Sequence, residues 1–147
     1  MAVSHPVFLS QVAVTVPAVT RPTLNALLQQ CEDAGITVTW TRLASRRRGG
    51  YAHASRTIYL TEGMPDDLAL PTLMHEMEHA RRGDDGHQSP AIEARIDEAV
   101  ARAIITPDEY ARAEAVTGAR DSGAIAVEMG LPQWVIAAYR RTLRRAR

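Results

Sequence analysis

The first half of the chain carries the pattern of short β-strands. Residues 36–43 alternate apolar and polar side chains, and residues 56–60 form a second run rich in β-branched and aromatic residues. An arginine- and glycine-rich stretch over 46–50 lies between them and predicts a loop or a hairpin tip. A β-rich run over 7–16 and a helix over 20–35 complete the elements predicted for this half.

After Pro65 the apolar positions recur with the spacing of helices. The first predicted helix is capped by Asp66 or Asp67 and ends near Gly83. Four more helices are predicted over residues 90–105, 107–118, 122–129 and 132–145. A small sheet followed by several helices predicts an α+β fold.

Composition limits the classes of protein that the chain can belong to. It has 147 residues, 46% of them hydrophobic, and zero formal net charge, which is the balance of one globular domain. Cys31 is the only cysteine, so an internal disulfide and a cysteine-rich zinc finger are excluded. No apolar run approaches about 18 residues, and no basic stretch precedes a long apolar run. These features predict a cytoplasmic protein without a membrane segment, and not a secreted protease.

The stretch 75–79 reads H-E-x-x-H. On a helix, His75 and His79 project from one face, close enough to bind a single metal ion. Glu76 follows the first histidine and is placed to take a proton from a water that the metal activates. This arrangement is the core of a zinc hydrolase, so we predict a Zn²⁺ site with Glu76 as its general base.

A catalytic zinc site commonly has three protein ligands, so one more must come from elsewhere in the chain. Glu93 on the next predicted helix is the favoured third ligand, and Asp97, one turn later, would hold a ligand histidine by a hydrogen bond. Glu98, on another face of that helix, is the alternative ligand. His87 is a rival, but it does not fit the H-E-x-x-H-x-x-G-x-x-H pattern and is more simply a loop histidine.

A plainer interpretation is a partly exposed helix whose two histidines bind nothing. Glu78 favours it, because zinc peptidases usually have an uncharged residue at that position of the motif. Glu76, the E-x-x-x-D on the following helix and the strand directly upstream favour the metal site instead.

The segment 36–107 resembles the ImmA/IrrE family of metallopeptidases, which occur in phages, mobile elements and bacterial stress regulators. The resemblance is carried by the strand RTIYL, the stretch LPTLMHEMEHARRG and the stretch EARIDEAVARAIITP. The last of these ends in small and aliphatic residues and a proline, as the family does, and the phage and actinobacterial branch is the most similar. Met77 and Glu78, inside the motif, depart from the family's pattern.

The resemblance implies a zincin-like metallopeptidase core of the gluzincin type. His75, His79 and Glu93 would be its zinc ligands, and Glu76 its general base. It further implies a protein substrate inside a bacterial cell, such as a transcriptional repressor or another regulator, and a gene of phage or prophage origin.

Peptide hydrolysis also needs a group that stabilises the oxyanion of the intermediate. Tyr51, His53 and Tyr59 are candidates, and the sequence does not select among them.

The last two predicted helices have the spacing of a helix-turn-helix. Ala126 comes first, Gly130 lies in the turn and Ile136 follows six residues later. Gln133, Trp134 and Arg140 would then lie on or beside a recognition helix. The arginines available for contact with nucleic-acid phosphates would be Arg141, Arg144 and Arg145.

A simpler interpretation of these helices is structural. Residues 118–147 would be a helical extension packed on a core formed by residues 1–117, with the arginines in solvent. Two other classes of function therefore stay open, a DNA- or protein-binding regulator that uses the zincin fold as a scaffold and a component of a toxin–antitoxin or phage-immunity module. The oligomeric state is not predicted by any pattern in the chain.

Overall fold

The computed structural model describes residues 21–44, 47–118 and 121–147. The β-rich run predicted over 7–16 lies outside these residues. In chain order the elements are the helix α1 (Leu24–Asp33), the strands β1 (Thr37–Thr41), β2 (Gly49–Ala52) and β3 (Thr57–Thr61), and the helices α2 (Asp66–Arg82), α3 (Pro90–Ile104), α4 (Pro107–Thr117), α5 (Ser122–Met129) and α6 (Gln133–Arg145). The predicted α+β fold is confirmed.

The three strands form a mixed sheet in the order β1-β3-β2. The central strand β3 pairs in parallel with β1, Val38 lying opposite Ile58, and antiparallel with β2, Tyr51 lying opposite the same Ile58. The predicted loop over 46–50 is wrong at its end, because Gly49 and Gly50 already belong to β2. This strand overlaps the end of the predicted loop, and its two glycines have too low a β-propensity for it to be predicted from the sequence.

Helix α2 carries the H-E-x-x-H motif, and its start differs from the prediction. Neither Asp66 nor Asp67 is the cap; both lie in the first turn, and Pro65 occupies the N-cap position. Acidic side chains in the first turn still stabilise the helix by their interaction with its dipole. The helix ends as predicted at Gly83, which has the left-handed backbone (φ 73°) that glycine adopts without strain.

Helix α3 begins at the predicted cap, where the side chain of Ser89 accepts a hydrogen bond from the backbone of Ile92. Helix α4 begins with a capping box formed by Thr106 and Glu109. These two caps fix where α3 starts and where the chain turns after it.

Two clusters of buried side chains make up the core of the described chain. The first joins α1, the sheet and α2, and contains Leu27, Cys31, Tyr51, Ile58, Leu60 and Leu73. The second joins α3 to α6 and includes Ile104, Ile125, Val135, Ile136 and Tyr139. Met74 of α2 packs against both clusters. The helices after residue 118 therefore share a core with α3 and α4. No helix among the described residues has the length and apolar character to cross a membrane.

Candidate metal centre

Three predicted ligands come together between α2 and α3. One ligand atom from each of His75, His79 and Glu93 lies within 4.8 Å of the others, and these three residues form the one such group among the described parts of the chain. His79 is buried, and the side chains of His75 and Glu93 are both 12% exposed. Helix α2 supplies the two histidines one turn apart, and the first turn of α3 supplies the carboxylate.

The outer nitrogens of both imidazoles face carboxylates. Nδ1 of His75 lies 2.8 Å from Asp97, and Nδ1 of His79 lies 2.9 Å from Asp84. A carboxylate only accepts hydrogen bonds, so each Nδ1 carries the ring proton when the imidazole is neutral. Asp97 holds a histidine as predicted from the sequence, whereas Asp84 was not predicted to contact the site.

The inner nitrogens are then left with lone pairs that converge. Nε2 of His75 lies 3.2 Å from Nε2 of His79 and 2.9 Å from an oxygen of Glu93, whose other oxygen lies 3.3 Å from Nε2 of His79. Acceptors facing one another repel unless a proton or a cation lies between them. Two imidazole nitrogens and one carboxylate oxygen are also a donor set that zinc uses in catalytic sites. The residues present therefore fit a divalent metal ion.

The charge states of these side chains follow from their surroundings. Burial lowers the pKa of His75, but the hydrogen bond to Asp97 and the nearby carboxylates outweigh it and leave this pKa above its ordinary value. Burial raises the pKa of Glu93. The hydrogen bond from the backbone N–H of Gln88, 2.8 Å away, and the neighbouring histidines outweigh this effect, so the pKa of Glu93 is lowered overall. The carboxylate is thus kept ionised, as a metal ligand must be.

Glu98, the alternative third ligand, is not part of the group. It is 2% exposed, and its two oxygens accept hydrogen bonds from Arg141 at 3.2 Å and Arg145 at 2.6 Å, both on α6. Glu93 and Glu98 thus lie on different faces of α3, and only Glu93 faces the histidines. His87, the other rival, is 75% exposed and touches Glu93 at 3.4 Å without joining the group.

Glu76, the predicted base, is buried and lines a cleft that also contains the three predicted ligands. Burial raises the pKa of Glu76 above its ordinary value, against the opposing effect of the two histidines and Arg48. Strand β2 passes close to this side chain. A Cβ added to Gly49 would lie 3.2 Å from Cγ of Glu76 and 3.0 Å from Cγ2 of Thr72. Glycine at position 49 therefore allows β2 to approach the base.

The cleft around these residues has a volume of about 430 Å³. Other residues that were not predicted to line the cleft include Arg47 and Arg48 from the segment before β2, Thr72 of α2 and Trp134 from the first turn of α6. The indole of Trp134 stands edge-on to His75, with ring centroids 6.2 Å apart, and the guanidinium of Arg48 lies 4.3 Å from the centroid of the indole.

The predicted oxyanion groups are only partly at this cleft. Tyr51 lines it, and its hydroxyl lies 3.3 Å from Nδ1 of His53. His53 and Tyr59 are not among the lining residues.

Glu78, the unusual charge inside the motif, lies away from the metal ligands. It pairs with Arg81 on the surface of α2 and lines a separate depression between α1 and α2. The hydrogen bond from Arg81 is the main cause that lowers the pKa of Glu78. Glu78 therefore pairs with Arg81 and makes no hydrogen bond or ion pair with the three predicted ligands, although its charge still interacts with His79 at a distance.

Three of the C-terminal arginines make hydrogen bonds within the protein. Arg140 donates to the hydroxyl of Tyr110 at 3.0 Å, while Arg141 and Arg145 hold Glu98. The expectation that these arginines lie in solvent is therefore wrong for Arg140 and Arg141, which are half-buried, whereas Arg145 stays 64% exposed while it holds Glu98. Trp134 lies in the first turn of α6 and packs at the cleft.

Comparison of the chain with protein-family models, with curated proteins and with solved structures finds no match.

Proposed function

We propose that the protein is a zinc-dependent endopeptidase. The observation that supports this most directly is the 3.2 Å approach of the Nε2 atoms of His75 and His79, each with its Nδ1 bonded to a carboxylate. This arrangement leaves lone pairs directed at one point, and a bound cation relieves their repulsion. Glu93 supplies the negative charge that such a site needs.

A zinc ion held there supplies a Lewis acid, which acidifies a nearby water and polarises a carbonyl group. The carboxylate of Glu76 takes one proton from the attacking water, and the water oxygen bonds to the carbonyl carbon of the scissile peptide. When the C–N bond breaks, the leaving nitrogen takes the bond electrons, and Glu76 returns the proton to it. The burial that raises the pKa of Glu76 makes it a stronger base for the first transfer and a usable acid for the second.

The remaining polar residues around the ligands hold the site in shape. Asp97 and Asp84 fix the orientation and tautomer of the two imidazoles. The backbone of Gln88 orients Glu93. No side chain has to act as a nucleophile, since the attacking atom comes from water.

The substrate that we propose is a regulatory protein in the bacterial cytoplasm, such as a transcriptional repressor. The resemblance of the motifs to ImmA/IrrE metallopeptidases supports this substrate class. A cleft of about 430 Å³ has room for a few residues of an extended peptide, which agrees with cleavage in an exposed loop or linker of the target.

Two measurements test this function. Elemental analysis of the purified full chain is expected to find one zinc per protein, which is lost in the variants His79→Ala and Glu93→Ala and kept in Glu76→Gln. A library of peptides from a bacterial proteome is then incubated with each protein, and new termini are identified by mass spectrometry. The zinc-loaded wild type is expected to generate new termini, and Glu76→Gln to generate none.

The variant Glu98→Gln is the matched control for Glu93→Ala, because both change one carboxylate on α3. It should keep the zinc. A protein that binds no zinc, or a Glu76→Gln variant that cleaves the library as well as the wild type, overturns the proposal.

A further inference from the structure

The cleft at the metal centre is asymmetric in charge. Three acidic residues line it, Glu76, Glu93 and Asp97, together with two basic residues, Arg47 and Arg48. Peptide hydrolysis needs both kinds of charge. A carboxylate accepts the proton of water, and a cation or hydrogen-bond donor stabilises the negative oxygen that develops on the carbonyl.

Arg48 is held where it is from two sides. Its backbone oxygen accepts hydrogen bonds from the backbone and the hydroxyl of Thr61, at 3.2 and 3.1 Å, which fixes the chain directly before β2. Its guanidinium lies over the indole of Trp134, 4.3 Å from the ring centroid. A cation–π contact of this kind fixes the guanidinium plane without using its N–H groups.

The guanidinium N–H groups of Arg48 therefore make no hydrogen bond within the described residues. Among residues 21–44, 47–118 and 121–147, no carboxylate pairs with Arg48, although other arginines of the chain, such as Arg141 and Arg145, do pair with one. Five donors in a rigid planar group beside a hydrolytic cleft are suited to an oxygen that carries negative charge. Neither Tyr51, bound to His53, nor Tyr59, outside the cleft, offers a comparable donor.

We propose that Arg48, positioned by Trp134, donates hydrogen bonds to the oxyanion formed during peptide hydrolysis. This inference rests on the proposed function and names the residue that stabilises its intermediate. As the water oxygen bonds to the carbonyl carbon, the π electrons of the carbonyl move onto its oxygen, and Arg48 donates to that oxygen without giving up a proton. When the C–N bond breaks, those electrons re-form the carbonyl, and Arg48 is unchanged.

The test uses inorganic phosphate, a tetrahedral anion, as the probe. The full chain is loaded with Co²⁺, and phosphate binding is followed by the visible absorption of the cobalt. Arg48→Gln is expected to bind phosphate at least about tenfold more weakly than the wild type, the loss expected for one charge-assisted hydrogen bond. Arg48→Lys, which keeps the charge, should recover most of this affinity.

Two further variants separate contact from general charge. Arg42→Gln removes an exposed charge that does not line the cleft and should change the phosphate affinity less than about twofold, because such charges are screened by solvent and salt. Trp134→Leu leaves Arg48 in place without its platform and should weaken phosphate binding about two- to fivefold, the range for a surface cation–π contact.

A peptide substrate gives an independent reading. Arg48→Gln should lower kcat by about 100-fold or more with little change in KM, because the oxyanion exists only after the attack. A rise in KM alone overturns the inference, as does phosphate binding that is absent in the wild type or equal in Arg48→Gln. Failure of the chain to bind Co²⁺ would instead remove the proposed metal site, and with it both proposals.

Discussion

Asp84 accepts a hydrogen bond from Nδ1 of His79 at 2.9 Å. Asp84 lies in the turn directly after α2, where the left-handed backbone of Gly83 reverses the chain toward the histidine. The hydrogen bond from Arg82 is the main cause that lowers the pKa of Asp84, so the carboxylate stays ionised as a partner for the ring. The turn after α2 therefore orients His79, a predicted ligand in the last turn of the same helix.

We expect the variants Asp84→Asn and Asp97→Asn to bind zinc about 10- to 100-fold more weakly than the wild type. An amide in place of either carboxylate no longer holds Nδ1 as the protonated nitrogen with the same strength, so the tautomer and orientation of the ligand are less well fixed. Competition with a chromogenic chelator measures the affinity. Asp108→Asn, at an exposed position in the first turn of α4, is the control and should bind zinc like the wild type.

Zinc affinity should fall as the pH is lowered through the raised pKa of His75. Its ordinary value is 6.5, and the folded value is higher because Asp97 and the nearby carboxylates outweigh the effect of burial. Protons then compete for Nε2 at a higher pH than they would for a free imidazole. Calorimetry in buffers of different ionisation enthalpy measures the proton release, and Asp97→Asn should shift the pH profile to lower pH. An affinity independent of pH between 5.5 and 8 would contradict this prediction.

The raised pKa of His75 should also affect the folding stability of the metal-free protein, with a pH dependence opposite to that of zinc binding. A group whose folded pKa is raised stabilises the fold fully below its unfolded pKa, and this contribution disappears as the pH rises through the folded pKa. The protonated His75, between Asp97 and Glu93, should therefore stabilise the metal-free chain in mild acid, and this stabilisation should disappear as the pH rises through the raised pKa of His75. Chemical denaturation of the chelator-treated protein at several pH values measures this.

Removing both arginines that hold Glu98 should destabilise the fold without removing the zinc. In the double variant Arg141→Ala, Arg145→Ala the carboxylate, 2% exposed, loses both partners. The expected loss in the free energy of unfolding is about 3 kcal/mol, at the low end for breaking a buried pair because Arg145 is itself largely exposed. Arg102→Ala, at an exposed position of α3, should cost little in the same denaturation experiment. Loss of zinc from the double variant would show that Glu98 matters to the site directly.

The close approach of β2 to the base predicts different effects at two neighbouring glycines. In Gly49→Ala the new methyl group would lie 3.0 Å from Cγ2 of Thr72 and from the backbone oxygen of Tyr59, and 3.2 Å from Cγ of Glu76. The strand must move or Glu76 must turn, so we expect a loss of about 1–3 kcal/mol in stability and a strong loss of peptidase activity with the zinc retained. Gly50→Ala meets no atom within 4 Å and is the matched control. Equal activity of the two variants would contradict the prediction.

Local patterns were enough to predict most helices and the ligand group. Turn glycines, proline starts and N-caps mark helix ends within the sequence itself, as at Ser89 and Gly118. The one-turn spacing of the histidines needs no tertiary information either. Choosing between Glu93 and Glu98 does need tertiary information, because both lie on α3. Only the packing of α3 against α2 decides which of them faces the histidines.

The contributions of Arg48 and Trp134 depend on tertiary contacts, and local spacing does not reveal them. Trp134 reaches His75 because α6 packs on α3, and Arg48 reaches Trp134 because β2 runs beside α2. Each of these contacts joins segments far apart in the chain, so no periodicity or motif encodes it. Strand β2 was missed for a related reason. Two of its four residues are glycines, so it is stabilised by its pairing with β3 and not by its own β-propensity.

The contact of His75 with Glu93 joins α2 to α3 across 18 residues. The donors of the proposed zinc site converge only when both helices are in place, so the free energy of binding zinc there would add directly to the free energy of folding. A chain with one cysteine cannot replace that cross-link with a disulfide. The lifetime of the protein in a cell should therefore follow the supply of zinc, and a starved cell would clear the metal-free chain by proteolysis sooner than the loaded one.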